Sequence, residues 1–172
     1  MRVLTVLGRA RVHQPDADAV IDAALAADIP RMMEAVVAAG VQFPGVFTPR
    51  AVRLLERAKI DPEWARDVAK RVPYPSLELA KLASALTTHI VDGFTVDTSV
   101  VDRARWISEH ALRLGGVGRR AEALAANQEV VDLRRELVGL NRAAHLPSLA
   151  RAVLNLAGRL ALDFAHGVGL PL

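Results

Sequence analysis

Residues that start or stop helices recur at short intervals along the first half of the chain. Asp, Ser and Thr side chains satisfy backbone N–H groups that a helix start leaves unpaired, and Pro fits the first helical turn. No segment shows sustained alternation of apolar and polar residues, so the sequence predicts an all-α fold without a sheet. The start signals are Asp16, Thr48-Pro49, Asp61-Pro62 and Ser76.

These signals delimit five predicted helices, over residues 17–27, 30–39, 49–59, 62–71 and 77–91. A short apolar pattern over residues 2–13 predicts a further helix before them. The segment VQFPGVF, residues 41–47, is predicted to interrupt the helices because Pro44 and Gly45 disfavour helical continuation. The chain therefore reads as short helices joined by tight turns.

The composition agrees with helices and excludes several classes of protein. Hydrophobic residues make up 52% of the chain but aromatic residues only 4%, so Ala, Leu, Val and Ile must fill the core. The absence of Cys excludes disulfides, thiol nucleophiles and Cys-based zinc sites. No uncharged run approaches the roughly 18 residues that a membrane span needs. We therefore expect a cytoplasmic protein.

Positive charge is concentrated in the C-terminal part of the chain. The net charge is +3, and residues 103–172 hold 10 basic and 6 acidic side chains. An Arg-rich helical protein could bind nucleic acid, because phosphate contacts need only positioned cations. However, several of these Arg have acidic helical neighbours, and few aromatic residues are available to stack on bases. Solvated helix faces are the favoured interpretation.

Motifs of catalysis and cofactor binding are absent from the sequence. Gly115-Gly116-Val117-Gly118 precedes a predicted helix, but no Lys-Ser or Lys-Thr follows it, so the P-loop pattern is incomplete. The five His are dispersed, and no pair has the spacing and acidic neighbour of a helical metal site. No G-x-S-x-G elbow occurs. We expect a non-enzymatic protein without a metal or cofactor.

The stretch from Asp102, DRARWISEHALRLGGVGRRAEALAANQEVVDLRREL, has a helix-turn-helix pattern that resembles the tetratricopeptide-repeat (TPR) family, in its long-repeat form found in kinesin light chains and large bacterial proteins. Ile107, Ala111 and Leu114 follow the large–small–large spacing of the first repeat helix. Gly118 stands at the inter-helix turn, and Ala123 at the small contact position of the second helix. The string ALAANQEVVDLRREL carries the closest local match.

A second, incomplete repeat follows a linker over residues 140–146. Pro147 is predicted to open a helix in which Val153, Leu156, Ala157 and Leu160 repeat the earlier spacing. The resemblance implies one full repeat over about 102–141 and a half repeat over about 147–162. It thus implies a short right-handed α-solenoid over residues 99–172 and a helical connector over residues 1–98.

The connector carries a weaker resemblance of its own. The stretch VPYPSLELAKLASALTTHIVDGF, followed by RARW, is similar to the helical connector that precedes TPR arrays in bacterial signal-transduction NTPases. This resemblance implies that the chain could be a detached sensor or regulatory arm of such an NTPase. Nothing in the sequence resembles the NTPase module itself.

The TPR resemblance implies a protein-interaction or scaffold function, with a peptide held in the groove formed by the first helix of each repeat. The family's groove positions fall on Arg105, Ser108, Arg151 and Asn155. The Asn155 amide offers a donor and an acceptor to an extended peptide, and the two Arg suit an acidic side chain or a C-terminal carboxylate. Ordinary helix-surface polarity is the alternative explanation of these four residues.

The incomplete repeat also predicts an uncovered apolar surface. About three repeats are normally needed to bury a continuous core. The side chains of Leu154, Leu160, Leu162 and Phe164 are therefore expected to be poorly covered in a monomer, and a homodimer would cover them. Composition and motifs leave the partner, the pathway and the oligomeric state open.

Overall fold

The computed structural model describes residue 6 and residues 17–40 and 44–167. These described residues form helices and no strand, which confirms the predicted all-α fold. Residues 2–13, where a first helix was predicted, lie outside the described part apart from residue 6. The helices are α1 (Ala17–Ala27), α2 (Ile29–Gly40), α3 (Pro44–Arg57), α4 (Pro62–Ala69), α5 (Ala80–Asp92), α6 (Val100–Gly116), α7 (Arg120–Leu140) and α8 (Arg142–Gly167).

The chain divides into two compact units, residues 1–93 and residues 94–172. The sequence analysis places this division between residues 98 and 99. In the first unit, α3 packs against α1, α2 and α5, and α4 packs against α2 and α5. The largest fully buried side chains of this unit are Ile21, Leu25, Met33, Phe47, Leu55, Leu79, Leu82, Leu86 and Ile90.

An ion-pair cluster joins α1 to α3 in the first unit. The guanidinium of Arg50 lies 2.7 Å from Asp18 Oδ1 and 2.8 Å from Asp22 Oδ1. Its side chain is only 13% exposed, whereas Asp18 and Asp22 are more open to solvent. One cation of α3 therefore holds two successive turns of α1.

Helix α3 begins earlier than the sequence predicted. The segment over residues 41–47 was expected to interrupt the helices, yet α3 starts at Pro44 and runs through Pro49. Pro44 fits because a first-turn residue needs no N–H partner. Burial explains why the residues after Pro44 are also helical. Phe47 is fully buried and Thr48 nearly so, which places them on the packed face of α3.

Helices α4 and α5 approach each other closely at their ends. As predicted, Asp61 caps α4, its Oδ1 accepting from Glu63 N at 3.0 Å. A Cβ atom added at Gly93, after α5, would lie 2.8 Å from Cβ of Pro62 and closer still to Cγ. Residue 93 must therefore be glycine, because the Cβ of any other residue would overlap Pro62. Helix α5 starts at Ala80, later than the predicted residue 77.

The second unit consists of α6, α7 and α8, and α7 packs against both of the others. Ser99 caps α6, its Oγ accepting from Asp102 N at 3.1 Å. At the turn between α6 and α7, Gly118 has a φ of 80°, a conformation that favours glycine. Arg119 N donates to Leu114 O at 3.0 Å and closes this turn.

The apolar and small side chains that the sequence spacing placed at helix contacts in α6 and α7 are buried. Ile107, Ala111 and Leu114 of α6 are each no more than 2% exposed, and Ala123 of α7 is fully buried. Small side chains at residues 111 and 123 let the helix backbones approach, while the larger ones fill the interface. The remaining core side chains of this unit include Trp106, Val130, Val131, Leu133 and Leu137.

The start and end of α8 differ from the prediction. Asn141 Oδ1 accepts from Ala144 N at 3.1 Å, so α8 begins at Arg142 rather than at Pro147. An Asn cap supplies the start signal that was assigned to the proline. Pro147 then lies within the second turn, and α8 continues to Gly167, beyond the predicted end at residue 162.

Candidate functional site

A groove runs between α6 and α8 in the second unit, with α7 as its floor. It has a volume of about 520 Å³. We call it the α6–α8 groove; its lining residues are Ser108, Glu109, Leu112, Asn127, Leu154, Asn155, Gly158 and Arg159. Because α7 packs against both neighbouring helices, three consecutive helices supply all of the described lining residues of the groove.

A smaller concavity shares two residues with this groove. It has a volume of about 110 Å³ and lies where α6, α7 and the first half of α8 meet. We call it the basic recess; its lining residues are Ser108, Val130, Arg134, Ser148, Arg151, Ala152 and Asn155. Ser108 and Asn155 belong to both, so the groove and the recess form one continuous surface.

Three of the four groove residues predicted from the sequence come together. Ser108, Arg151 and Asn155 all line the basic recess, and Ser108 and Asn155 also line the α6–α8 groove. Arg105 lines neither. Its guanidinium carbon lies 5.7 Å from the centroid of the Trp106 ring, a distance suited to a cation–π contact.

The acidic residue of the groove is neutralised by a neighbour on its own helix. Glu109 Oε1 accepts from Nε of Arg113 at 2.7 Å and lies 2.7 Å from its Nη2. The Arg113 side chain is only 9% exposed and that of Glu109 34%, so the guanidinium is largely shielded from solvent and the carboxylate partly so. Glu109 therefore adds little negative charge to the groove.

Three guanidinium groups of this surface have no ion-pair partner among the described residues. They belong to Arg134, Arg151 and Arg159. Elsewhere in the same unit Arg103 and Arg135 pair with Glu129 and Asp132. The cations that line the groove and the recess are thus not compensated by ion pairs among the described residues, which gives this surface an attraction for anions.

Arg159 occupies a place that a glycine leaves open. A Cβ atom added at Gly115 would lie 2.6 Å from Cζ of Arg159, so the guanidinium rests against the backbone near the end of α6. The C-terminal end of a helix favours a nearby cation. Since Ser108 lies beside Asn155 and Gly115 beside Arg159, α6 and α8 run in the same direction along the groove.

The floor of the groove contains a buried amide. Asn127 of α7 is only 8% exposed, and its Nδ2 donates to Ala123 O at 2.7 Å. Its Oδ1 accepts no hydrogen bond from the described residues. A buried amide in a groove can orient a polar ligand, because its remaining donor and acceptor positions are fixed in direction.

Most of the other lining residues were missed by the sequence analysis, among them Ser148, Gly158, Arg159, Asn127 and Arg134. Ser148 and Arg159 lie three residues before Arg151 and four after Asn155, so helical periodicity along α8 would have found them. Gly158 adjoins Arg159 and carries no side chain to signal its position. Asn127 and Arg134 belong to α7, which the family pattern does not assign to the groove.

Three of the four apolar side chains predicted to be poorly covered are exposed; Leu154 also lines the α6–α8 groove, whereas Leu160 and Phe164 lie on the other side of α8. Leu154, Leu160 and Phe164 are 72%, 50% and 68% exposed. The side chain of Leu162, predicted with them, lies outside the described residues. Leu146 and Val153 are also exposed and fall at spacings of seven along the helix before Leu160. We call Leu146, Val153, Leu160 and Phe164 the outer face of α8.

A charged pair marks the start of α7, away from the groove. Glu122 accepts from Nε of Arg119 at 2.7 Å, and this hydrogen bond lowers the pKa of the Glu122 carboxyl. The same hydrogen bond raises the pKa of Arg119. A carboxylate in the first turn of a helix is also favoured by the helix dipole.

Two further properties concern the described residues as a whole. No helix among residues 17–40 and 44–167 combines the length and apolar character required to cross a bilayer. Over the same ranges, no three His, Asp or Glu side chains are grouped in a way that could hold a metal ion.

Comparison with known proteins gives no relative for this chain. No protein-family model matches it, and neither a curated protein nor a solved structure shows significant similarity.

Proposed function

We propose that this chain is a non-enzymatic interaction module of the TPR type, whose α6–α8 groove binds an extended acidic segment of a partner protein. The observation that carries the proposal is the uncompensated positive charge on a groove built by three consecutive helices. A cytoplasmic location and a scaffold role belong to the same proposal.

The helix arrangement supports the TPR assignment. A helix, a glycine turn, a second helix and a third helix parallel to the first correspond to one full repeat and the start of the next. Stacked helices of this kind form a right-handed α-solenoid whose concave side is built by the first helix of each repeat. Ser108 and Asn155 face each other across the groove from those two helices.

The chemistry of the groove supports an acidic peptide over other small ligands. The Asn155 amide can pair with the N–H and C=O of an extended backbone, and Ser108 adds a hydroxyl nearby. Arg151 and Arg159 lie one helical turn on either side of Asn155, where they can meet acidic side chains. Successive residues of an extended peptide point in alternate directions. Such a peptide would thus reach the Asn155 amide and the guanidinium groups of Arg151 and Arg159.

A test uses three sets of degenerate peptides with blocked ends, one rich in Asp and Glu, one neutral and one rich in Lys. We expect the acidic set to bind and to shift the backbone resonances of Ser108, Leu112 and Asn155 in NMR spectra. Replacing Asn155 with Ala should weaken binding by about tenfold, because two hydrogen bonds to the peptide backbone are lost.

The matched control is Gln128→Ala, which removes an exposed amide from α7 outside the groove. It should leave the affinity unchanged. Equal binding of all three peptide sets, or shifts confined to other surfaces, would refute the acidic-peptide assignment.

The outer face of α8 supports a second partner surface. Its apolar residues recur on one side of the helix between residues 146 and 164, interspersed with Ala150, Ala157 and Ala161. Alternating large and small side chains let two copies of such a helix interlock. We therefore propose that a second copy of the chain covers this face, as expected from the incomplete repeat.

Two other functions remain as alternatives to the interaction module. A regulatory arm of a signalling NTPase would use the same helices with an NTPase domain as its partner, and a gene for such a domain beside this one would favour it. A nucleic-acid-binding protein would use the same cations, but its duplex or single-strand affinity would fall steeply as salt rises. That salt dependence, in the absence of peptide binding, would favour nucleic acid.

A further inference from the structure

The basic recess differs from the rest of the groove in the number of side-chain hydrogen-bond donors that have no partner among the described residues. Arg134 comes from α7, Ser108 from α6, and Ser148, Arg151 and Asn155 from α8. None of the five side chains donates a hydrogen bond to a described residue. Hydroxyl groups on helices commonly bond back to the preceding turn, as Thr87 and Thr88 do to Ser84 O at 3.0 Å.

The base of the recess is apolar. Val130 and Ala152 form it, and they are 4% and 7% exposed. An apolar base lowers the local dielectric, so a charge-assisted hydrogen bond formed above it is stronger than one at an open surface. Two guanidinium groups and two hydroxyls therefore surround a place where an anion is favoured and a neutral group is not.

The volume of the recess limits the size of the anion that it can hold. Its volume of about 110 Å³ is several times the roughly 30 Å³ that one water molecule occupies in the liquid. A single phosphoryl group with its oxygens fits this space. A phosphoryl group carries close to two negative charges and three acceptor oxygens at neutral pH, so it can use both guanidinium groups and the hydroxyls together. A carboxylate has two oxygens and one charge.

We propose that the basic recess binds the phosphoryl group of a phosphorylated serine or threonine in the peptide that occupies the α6–α8 groove. This inference rests on the proposed function for the peptide. Ser108 and Asn155 line both concavities, so a peptide in the groove passes the mouth of the recess. Its side chain can then enter while its backbone stays in the groove.

The experiment compares three sets of degenerate peptides that differ only at one central position, which holds phosphoserine, Glu or Ser. Binding is measured by fluorescence anisotropy and by NMR shifts. We expect the phosphoserine set to bind at least about tenfold more tightly than the Glu set, since additional charge-assisted hydrogen bonds form.

The variant Arg134→Gln with Arg151→Gln should lower the affinity for the phosphoserine set by at least about tenfold. Its control is Arg135→Gln with Arg142→Gln, which removes the same charge from α7 and α8 but lies outside the recess. The control should retain most of the affinity. Arg151→Gln alone, at an exposed position, serves as a second variant if the double substitution disturbs folding.

The outcomes separate this inference from the proposed function. Equal affinity for the phosphoserine and Glu sets would overturn the inference while the acidic-peptide function stands. Equal binding of all three sets, unaffected by the Arg substitutions, would overturn the inference and the acidic preference but leave a peptide groove. If no peptide binds and inorganic phosphate alone shifts Ser108 and Ser148, peptide recognition is overturned and the recess is a site for free phosphate.

Discussion

A substitution at Gly158 tests directly whether the glycine serves ligand binding in the groove or the stability of the fold. It lies in the interior of α8, where Gly is about 1 kcal/mol less favourable than Ala because of backbone entropy. A Cβ atom added there meets no heavy atom within 4 Å, so Ala fits without displacing anything. Gly158→Ala should therefore raise the free energy of unfolding by about 1 kcal/mol.

Urea denaturation followed by circular dichroism measures this gain, and thermal unfolding should show a melting temperature higher by about 4–8 °C for a unit of this size. At the same time the new methyl group projects into the α6–α8 groove. If the peptide backbone approaches α8 at this point, as we propose, peptide affinity should fall by about tenfold while stability rises.

The control for this pair of effects is Gly139→Ala in the last turn of α7. A Cβ atom at Gly139 also meets nothing within 4 Å, and the residue lies outside the groove. We expect a smaller gain in stability there and unchanged affinity. A loss of stability in Gly158→Ala would contradict the open space described beside this residue. Unchanged peptide affinity would contradict the proposed path of the peptide.

Three further predictions concern other parts of the molecule. Gly93→Ala should destabilise the first unit by about 1–3 kcal/mol, because its Cβ would overlap the rigid ring of Pro62; an unchanged urea midpoint would count against that close approach. The pKa of the Glu122 carboxyl, followed by carbon-detected NMR, should lie below that of an ordinary glutamate, and Arg119→Gln should return this pKa to the ordinary value. The stabilisation from this pair is then present above about pH 4.5 and lost as pH falls through the lowered pKa; equal titration in both proteins would refute the pairing. Sedimentation should show a dimer that dissociates on dilution, and Phe164→Glu should abolish it; a monomer at every concentration would exclude the proposed use of the outer face.

The sequence predicts the helices well where capping and periodicity agree. Asp61 and Gly118 act as expected because each satisfies a local need, an unpaired N–H group in one case and a left-handed backbone in the other. Pro44 and Pro147 misled the prediction of helix starts. Burial of Phe47 extends α3 through a proline, and the Asn141 cap starts α8 a turn and a half earlier than its proline.

The candidate site was predictable only in part. Arg151 and Asn155 share one helix face, so their proximity follows from the spacing of residues along α8. Arg134 comes from a different helix, and its place in the recess depends on how α7 packs between its neighbours. The unpaired state of Arg134 and Arg159 is likewise invisible in the sequence, because acidic residues lie within four positions of each, whereas Arg151 has none so near. Only the packed structure shows that Glu109 is already occupied by Arg113.

The position of Arg50 between Asp18 and Asp22 gives α1 a dependence on ionic strength that the other helices lack to the same degree. Its apolar anchors, Ile21 and Leu25, are insensitive to salt, whereas the two carboxylates are exposed enough for counterions to screen them. Raising the salt concentration should therefore loosen α1 first and speed hydrogen exchange of its amides. Helix α1 is thus held in place partly by charge, and its packing against α3 should respond to the ionic conditions around the protein.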